Sequence, residues 1–185
     1  LLAPASNLEE DVAIEASAEF LRSLGYEVTL GAPLFRRNQY LAGTDEERAA
    51  DLNAAFREPD LDGIVCLRGG YGAARLLPLL DFDALRPAPK VILGYSDITA
   101  ILNAVYAKTG LTTFHGPIAA TNLSPYALEA FDAVLTAPVA PLNLAAPPPF
   151  EAGRGQVRRE NRLQTFQPGV AEGVLVGAFF DPAVV

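Results

Sequence analysis

Short apolar runs alternate along this chain with segments in which apolar residues recur at helical spacing, and that alternation is its main structural signal. Asp62-Gly-Ile-Val-Cys-Leu67, Lys90-Val-Ile-Leu-Gly-Tyr95 and Leu111-Thr-Thr-Phe114 are short, aliphatic and bounded by turn residues, so they read as buried strands. Between and after them the pattern predicts helices over Ala73–Leu80, Asp97–Lys108 and Tyr126–Leu135. Upstream, Ser6-Asn-Leu-Glu9 fits a capping box. Leu8, Val12, Ala16, Phe20 and Leu24 then recur every four residues and predict the buried face of a helix that Gly25 ends. Tyr26–Leu30 reads as a short strand. Thr44-Asp-Glu-Glu47 is a second capping box, opening a helix that runs to about Arg57 and stops before Pro59. Strands and helices alternating at this spacing predict right-handed βαβ units, hence an α/β fold with a mostly parallel sheet flanked by helices.

At Pro138 the composition shifts. Prolines 138, 141, 147, 148 and 149 interrupt any helix interior and read as an extended linker. The expected organisation is an N-terminal α/β domain over 1–137, a proline-rich linker over 138–154, and the start of a second lobe over 155–185. That last stretch is polar at Gly155–Arg162 and strand-like at Gly173–Gly177, too short to hold a core of its own, so the second lobe is expected to be incomplete. The chain opens at Leu1-Leu-Ala-Pro4 without a methionine, and both ends read as cut.

Charge narrows the function classes. With 22 acidic against 14 basic residues the net charge is −8, which disfavours a nucleic-acid or anionic-membrane partner, since both ask for a basic footprint. No apolar stretch reaches the ~20 residues that span a bilayer. One cysteine excludes an internal disulfide and suits a reducing compartment. Cys66, inside the run Ile64–Leu67, reads as a packed core thiol. One histidine and one cysteine cannot make a zinc site, Asp81 and Asp83 read as a solvated turn, and no cofactor or metal is expected.

Three loops remain as candidate chemistry, and in a parallel sheet all three follow strands and so share one edge. Ser96 stands where a strand gives way to a helix, a junction that can hold a hydroxyl up as a nucleophile beside helical N–H groups. Gly94-Tyr-Ser-Asp97 keeps the first glycine of a Gly-x-Ser-x-Gly elbow and lacks the second, and helix capping is the competing role for the serine. Arg68-Gly-Gly-Tyr-Gly72 can bring backbone N–H groups close to an anion or oxyanion, against the plainer reading of a tight turn. His115 in His115-Gly-Pro117 is the nearest candidate for a base. A histidine held in the wall of the crevice fits it better, because no orienting carboxylate is evident nearby.

Taken as an ordered set, Ala3-Pro-Ala-Ser6, Leu67-Arg-Gly-Gly-Tyr-Gly72 with Arg75-Leu-Leu-Pro78, Leu93-Gly-Tyr-Ser-Asp-Ile-Thr99 and Thr113-Phe-His-Gly-Pro117 resemble the L,D-carboxypeptidase family of serine peptidases, which includes murein tetrapeptide carboxypeptidases and microcin C immunity peptidases. The resemblance spans about residues 1–177. It implies a Rossmann-like N-terminal lobe carrying the nucleophile of a Ser-Glu-His triad whose other two members lie in a C-terminal lobe. It matches Ser96 to the nucleophile and the backbone N–H groups of Asp97 and Gly70 to the oxyanion hole. Gly69, Tyr71 and His115 are the expected substrate-binding positions. The family's triad glutamate and histidine have no counterpart here, since the chain ends Ala178-Phe-Phe-Asp-Pro-Ala-Val-Val185, and neither Glu160 nor Glu172 matches. The implied function is a cytoplasmic, homodimeric enzyme releasing a terminal D-amino acid from a murein tetrapeptide. Two alternatives stay open: the same mechanism on a peptidyl-nucleotide, and a non-catalytic α/β domain binding a small anionic ligand at Arg68–Gly72.

Overall fold

Strands β1 (Gly63–Val65), β2 (Val91–Gly94) and β3 (Phe114–His115) lie side by side in that order and run parallel, with Gly63 opposite Val91, Val65 opposite Leu93, and Gly94 opposite His115. The computed structural model describes residues 1–8, 11–116, 123 and 125–135. Those up to Gly116 belong to one compact unit, which holds the sheet; helix α4 (Pro125–Leu135) belongs to a second. The expected linker and second lobe lie outside the described residues. On the far side of β1 the N-terminal segment adds a parallel bridge between Leu2 and Cys66, with Leu2 N–H donating to Val65 O and Leu67 N–H to Leu2 O.

Two apolar clusters flank the sheet. Ile64 and Cys66 join α2 (Asp45–Arg57) and α3 (Thr99–Thr109) through Leu52, Phe56, Ile101 and Val105. Leu67, one residue on from Cys66, joins the opposite cluster with Ile14 of α1 (Asp11–Ser23) and Leu34. The period of two along a strand sends neighbours to opposite faces, so this is a sheet covered by helices on both sides. Cys66 is the core thiol expected, 1% exposed, and burial pushes its pKa up to about 12.

The second capping box is present in full. Glu47 N–H donates to Thr44 Oγ1 at 3.2 Å, and Thr44 N–H to Glu47 Oε2 at 2.8 Å. At the first, the Ser6 hydroxyl accepts from the amide of Tyr71, 65 residues away; Glu9, the other half of that box, lies outside the described residues, and α1 is described from Asp11. Its buried face is corrected, to Ile14, Ser17, Ala18 and Leu21, with Val12 75% exposed. At about 100° per residue these four positions fall within an arc of roughly 100°, whereas five residues spaced by four drift over roughly 160°, too wide for one contact stripe. Tyr26–Leu30 forms no strand. Tyr26, Glu27 and Thr29 are exposed while Val28 and Leu30 are partly buried, and the chain that follows touches the N-terminal segment through Gly31 N–H to Leu1 O. The expected helix at Ala73–Leu80 is a 3₁₀ segment over Ala74–Leu79, because Pro78 removes an N–H and its ring crowds the carbonyl four residues back. The third strand is shorter and later than Leu111–Phe114, consisting of Phe114 and His115 alone.

Candidate active site

The carboxyl ends of the three strands bring the three candidate loops together. Ser96 has φ +58, a left-handed conformation that costs a non-glycine residue roughly 1–3 kcal/mol and that neighbouring structure must hold. Gly94 makes the bend possible. A side chain there would place its Cβ 2.8 Å from the Cβ of Ile98, which is fully buried. Ile98 occupies the position where the full elbow motif has its second glycine. Its side chain fills the space above Gly94 and continues into the core, so one glycine suffices. A single 3₁₀ turn, Ser96–Ile98, then leads into α3, with Thr99 Oγ1 donating to Ser96 O at 2.5 Å.

Against this elbow lies Gly69. A Cβ on Gly69 would sit 2.9 Å from Ser96 Cβ, 2.8 Å from Tyr95 O and 3.2 Å from Asp97 N, so the backbone of the glycine loop touches the nucleophile candidate directly. The loop is fixed from three sides. Ser6 N–H donates to Gly69 O at 3.2 Å and Ser6 Oγ accepts from Tyr71 N–H at 3.2 Å. The Asp97 carboxylate accepts from Ala73 N–H at 2.8 Å. Arg48 of α2, its side chain wholly buried, donates to Gly72 O at 3.1 Å and Pro4 O at 2.6 Å while pairing with Asp45. In a trans peptide the C=O and the following N–H point in opposite directions. With Gly69 O turned toward Ser6, the Gly70 N–H therefore leaves on the opposite side. Among the described residues neither that N–H nor the Asp97 N–H has an acceptor. Gly70 itself has φ +104, and a side chain there would run into Ser6, with Ser6 Cβ at 2.7 Å.

His115 joins the site from β3, and its contact is specific: Ser96 N–H donates to His115 Nε2 at 3.2 Å. The ring lies 5.1 Å from that of Tyr95. Burial lowers the imidazole pKa below its ordinary value, favouring the neutral ring that can accept at Nε2. The nitrogen facing the elbow therefore serves the serine's backbone, as a wall residue would, and buttresses the turn. Tyr71, the remaining candidate, is 55% exposed and its ring pairs with that of Tyr40 at 6.0 Å between centroids. Asp81 and Asp83 are met by Arg57 and Arg86 in exposed ion pairs. Among the described residues no group of three or more histidine, cysteine, aspartate or glutamate side chains is placed to hold a metal ion.

Sequence reasoning missed two members of this site. Ser6 carried a local capping signature that outweighed any sign of a contact 65 residues away. Arg48 stands on α2 among the small and apolar residues Ala49, Leu52 and Ala55, and that placement on a buried face is the signal that could have marked it.

Known proteins resemble this chain in sequence and in fold. Residues 1–116 match the LD-carboxypeptidase N-terminal domain. The chain is 41% identical over 123 residues to the probable murein peptide carboxypeptidase of Bacillus subtilis, covering 66% of this chain and 38% of that protein. It is 45% identical over 127 residues to the murein tetrapeptide carboxypeptidase of Pseudomonas aeruginosa, covering 68% and 41%. Among solved structures, the microcin C7 self-immunity protein MccF in complex with aspartyl sulfamoyl adenosine superposes with a TM-score of 0.68 at 34% identity, over 73% of this chain and 43% of that one. The muramoyltetrapeptide carboxypeptidase of Oxalobacter formigenes does so at 0.65 and 34%, over 74% and 48%. The chain thus spans between about two fifths and one half of the length of these relatives. With the family model matching well over half of its residues, the chain belongs to the LD-carboxypeptidase family.

Proposed function

We propose that this chain carries the nucleophile half of a serine carboxypeptidase that hydrolyses the amide between an L-configured centre and a terminal D-amino acid, as in release of D-alanine from a murein tetrapeptide. The observation that carries the reading is the strained Ser96 at the β2–α3 junction, backed by Gly69 and flanked by two N–H groups that have no acceptor among the described residues. Ser96 Oγ attacks the scissile carbonyl carbon, and the Asp97 and Gly70 N–H groups stabilise the oxyanion of the tetrahedral intermediate. Collapse breaks the C–N bond, and the leaving amine takes the proton that Ser96 gave up. Water then cleaves the acyl-enzyme and restores the hydroxyl. The proton is carried by a histidine–glutamate pair that the family resemblance assigns to the C-terminal lobe. His115 is not that base, because its Nε2 is engaged by the Ser96 amide. The reading includes no cofactor, a cytoplasmic compartment and a homodimer, which cell fractionation and sedimentation velocity test. No described helix is long and apolar enough to cross a membrane.

A second substrate has a specific observation in its favour: solved neighbours include MccF bound to aspartyl sulfamoyl adenosine and to adenosine monophosphate. The same machinery could act on a peptidyl-nucleotide. The deciding experiment is mass-spectrometric detection of D-alanine released from L-Ala-γ-D-Glu-meso-diaminopimelate-D-Ala by the full-length protein and by Ser96→Ala. An aspartyl-nucleotide amide is assayed in parallel. Release by the first protein alone supports the reaction and the nucleophile. Equal release by both removes Ser96 from the mechanism. Cleavage of the nucleotide substrate alone moves the assignment to the second substrate.

A further inference from the structure

The glycine loop carries one of the two candidate oxyanion donors and the elbow carries the other. Two donors on separate segments stabilise one oxyanion only if the segments keep a fixed spacing, so whatever links them bears on the chemistry. Gly70 and Gly72 have φ +104 and +109, conformations that favour glycine, and a glycine-rich segment keeps its freedom wherever it is not tethered.

The elbow supplies a tether of its own, the side chain of Asp97. An acidic residue at the start of a helix ordinarily caps that helix or faces its dipole. Asp97 lies in the 3₁₀ turn that leads into α3, yet its Oδ2 accepts from Ala73 N–H at 2.8 Å, 24 positions away and directly after the glycine loop. The same peptide group is held at its other end. Gly72 C=O and Ala73 N–H belong to one planar unit, and Gly72 O accepts from the buried Arg48 guanidinium at 3.1 Å. A cation and a carboxylate thus grip opposite ends of one peptide dipole, and hydrogen bonds to charged partners are the stronger kind.

These bonds bear directly on the donors. The Asp97 N–H and the Asp97 carboxylate belong to one residue, next to Ser96, so a single short side chain links Ala73 N–H to the elbow donor. At the other end of the loop Gly69 rests on the elbow, where a Cβ would reach 2.9 Å from Ser96 Cβ and 3.2 Å from Asp97 N. Gly70 lies between these two contacts. Ser6 also holds the loop, through Gly69 O and Tyr71 N–H, but it ties it to the N-terminal segment.

We propose that the Asp97 side chain is a positioning residue for the oxyanion hole, which by holding Ala73 N–H fixes the Gly70 N–H relative to the N–H of Asp97 itself. The proposal rests on the Ser96 reading above and deepens it: one residue donates to the oxyanion and also sets the place of the second donor. Losing the bond loosens the spacing of the donors while Ser6 and Arg48 still hold the loop to the fold. The charged intermediate then loses stabilisation that the neutral carbonyl of bound substrate draws on far less.

The test compares the full-length parent, Asp97→Ala and Asp97→Asn by kcat for D-alanine release from L-Ala-γ-D-Glu-meso-diaminopimelate-D-Ala. It adds inhibition by the tripeptide aldehyde in which the scissile carbonyl ends the chain, and calorimetric affinity for the uncleaved tetrapeptide with Ser96→Ala added to each protein. In the aldehyde complex Ser96 Oγ bonds to the carbonyl carbon and the hydroxyl proton passes to the carbonyl oxygen, giving a tetrahedral hemiacetal with that oxygen in the hole. Asp97→Ala is expected to lower kcat and weaken aldehyde inhibition by the same factor, roughly 10- to 100-fold, with tetrapeptide affinity within about twofold of the parent. Asp97→Asn, whose amide oxygen still accepts from Ala73 N–H, is expected to recover most of both losses, whereas a role through charge at the start of α3 would leave it as poor as Asp97→Ala. Parent-like kcat and aldehyde inhibition in Asp97→Ala, an equal loss of tetrapeptide affinity, or no recovery by Asp97→Asn overturns the proposal. Should Asp97→Ala fail to fold by thermal melt, Asp97→Ser, too short to reach Ala73 N–H, takes its place under the same criteria. D-Alanine release that survives Ser96→Ala, or that the parent lacks, removes the underlying reading and the proposal with it; an inactive Ser96→Ala beside a fully active Asp97→Ala removes the proposal alone.

Discussion

Gly69→Ala isolates the contact on which the elbow depends. Gly69 is not among the residues with positive φ, so alanine adds no backbone penalty and the effect is purely steric. The new methyl would lie 2.8 Å from Tyr95 O, 2.9 Å from Ser96 Cβ and 3.2 Å from Asp97 N, all well inside the ~3.5–4.0 Å of an unstrained contact. Two of these neighbours are backbone atoms that cannot rotate away, so the elbow and the loop must separate by several tenths of an ångström. Overpacking of this kind costs about 1–3 kcal/mol, a fall in Tm of roughly 2–12 °C at this chain length. Displacing Ser96 and the Asp97 N–H together is expected to lower kcat by about 10- to 100-fold, since misplacing reacting groups by an ångström costs on the order of 100-fold. Gly63→Ala is the control. It is on the preceding strand, where a Cβ meets Val91 O at 3.4 Å and Val91 Cβ at 3.6 Å, so both Tm and kcat should stay near the parent values. Differential scanning calorimetry and D-alanine release measure the two quantities. If Gly69→Ala matched Gly63→Ala in both, the loop would not be braced against the nucleophile and the argument for the site would fail.

Arg48→Met should destabilise the chain by about 3–5 kcal/mol, read from urea unfolding, because it leaves the buried Pro4 and Gly72 carbonyls without their donor; a loss below ~1 kcal/mol would mean that the guanidinium merely fills space. Cys66, almost fully buried and with its pKa near 12, should resist iodoacetamide at pH 8 in the folded protein and react on denaturation, and rapid labelling without unfolding would contradict its place in the core. His115 has a lowered pKa in the folded state, so as pH falls below its ordinary value near 6.5 the unfolded chain takes up a proton first and stability declines until the folded-state pKa is passed. Urea midpoints from pH 8 to pH 5 should therefore fall more steeply for the parent than for His115→Gln, and parallel curves would remove His115 from the titration.

How much of this was legible beforehand followed the range of the interactions involved. β1, β2 and α2 were readable because an aliphatic run or a capping box is written in consecutive residues. Ser96, Gly69 and His115 were placed on one edge by strand order alone, since parallel strands leave their carboxyl ends together. The Ser6–Tyr71 bond was not readable. Ser6, followed three residues later by Glu9, satisfies a local rule, and nothing local reports that the glycine loop needs the hydroxyl more. The 3₁₀ segment at Ala74–Leu79 was recognisable as helical, but its tightness comes from Pro78 acting on a carbonyl four residues back. The missing second glycine of the elbow weakened the motif as a pattern, and only the packing of Ile98 over Gly94 explains why the turn can do without it.

These contacts also explain why the strained serine is tolerable. A left-handed Ser96 relaxes unless its neighbours hold it, and two of the contacts that hold it come from outside its own turn. His115 on β3 accepts its N–H and Gly69 on the β1 loop backs its Cβ, while Ile98, at the end of the same turn, packs over Gly94. Asp97 then reciprocates by accepting the Ala73 N–H, tying the far end of the glycine loop to the elbow that the near end supports. Ser6 and Arg48 add the N-terminal segment and α2 to the same assembly. The Gly70 N–H therefore lies between two anchored peptide groups, Gly69 C=O and Tyr71 N–H, and is oriented before any ligand arrives. A donor fixed in this way needs no reorganisation when negative charge develops in front of it, which is the condition under which a backbone amide contributes most to a transition state. The fold thus uses its sheet edge to convert backbone strain at one serine into preorganisation of the loop beside it.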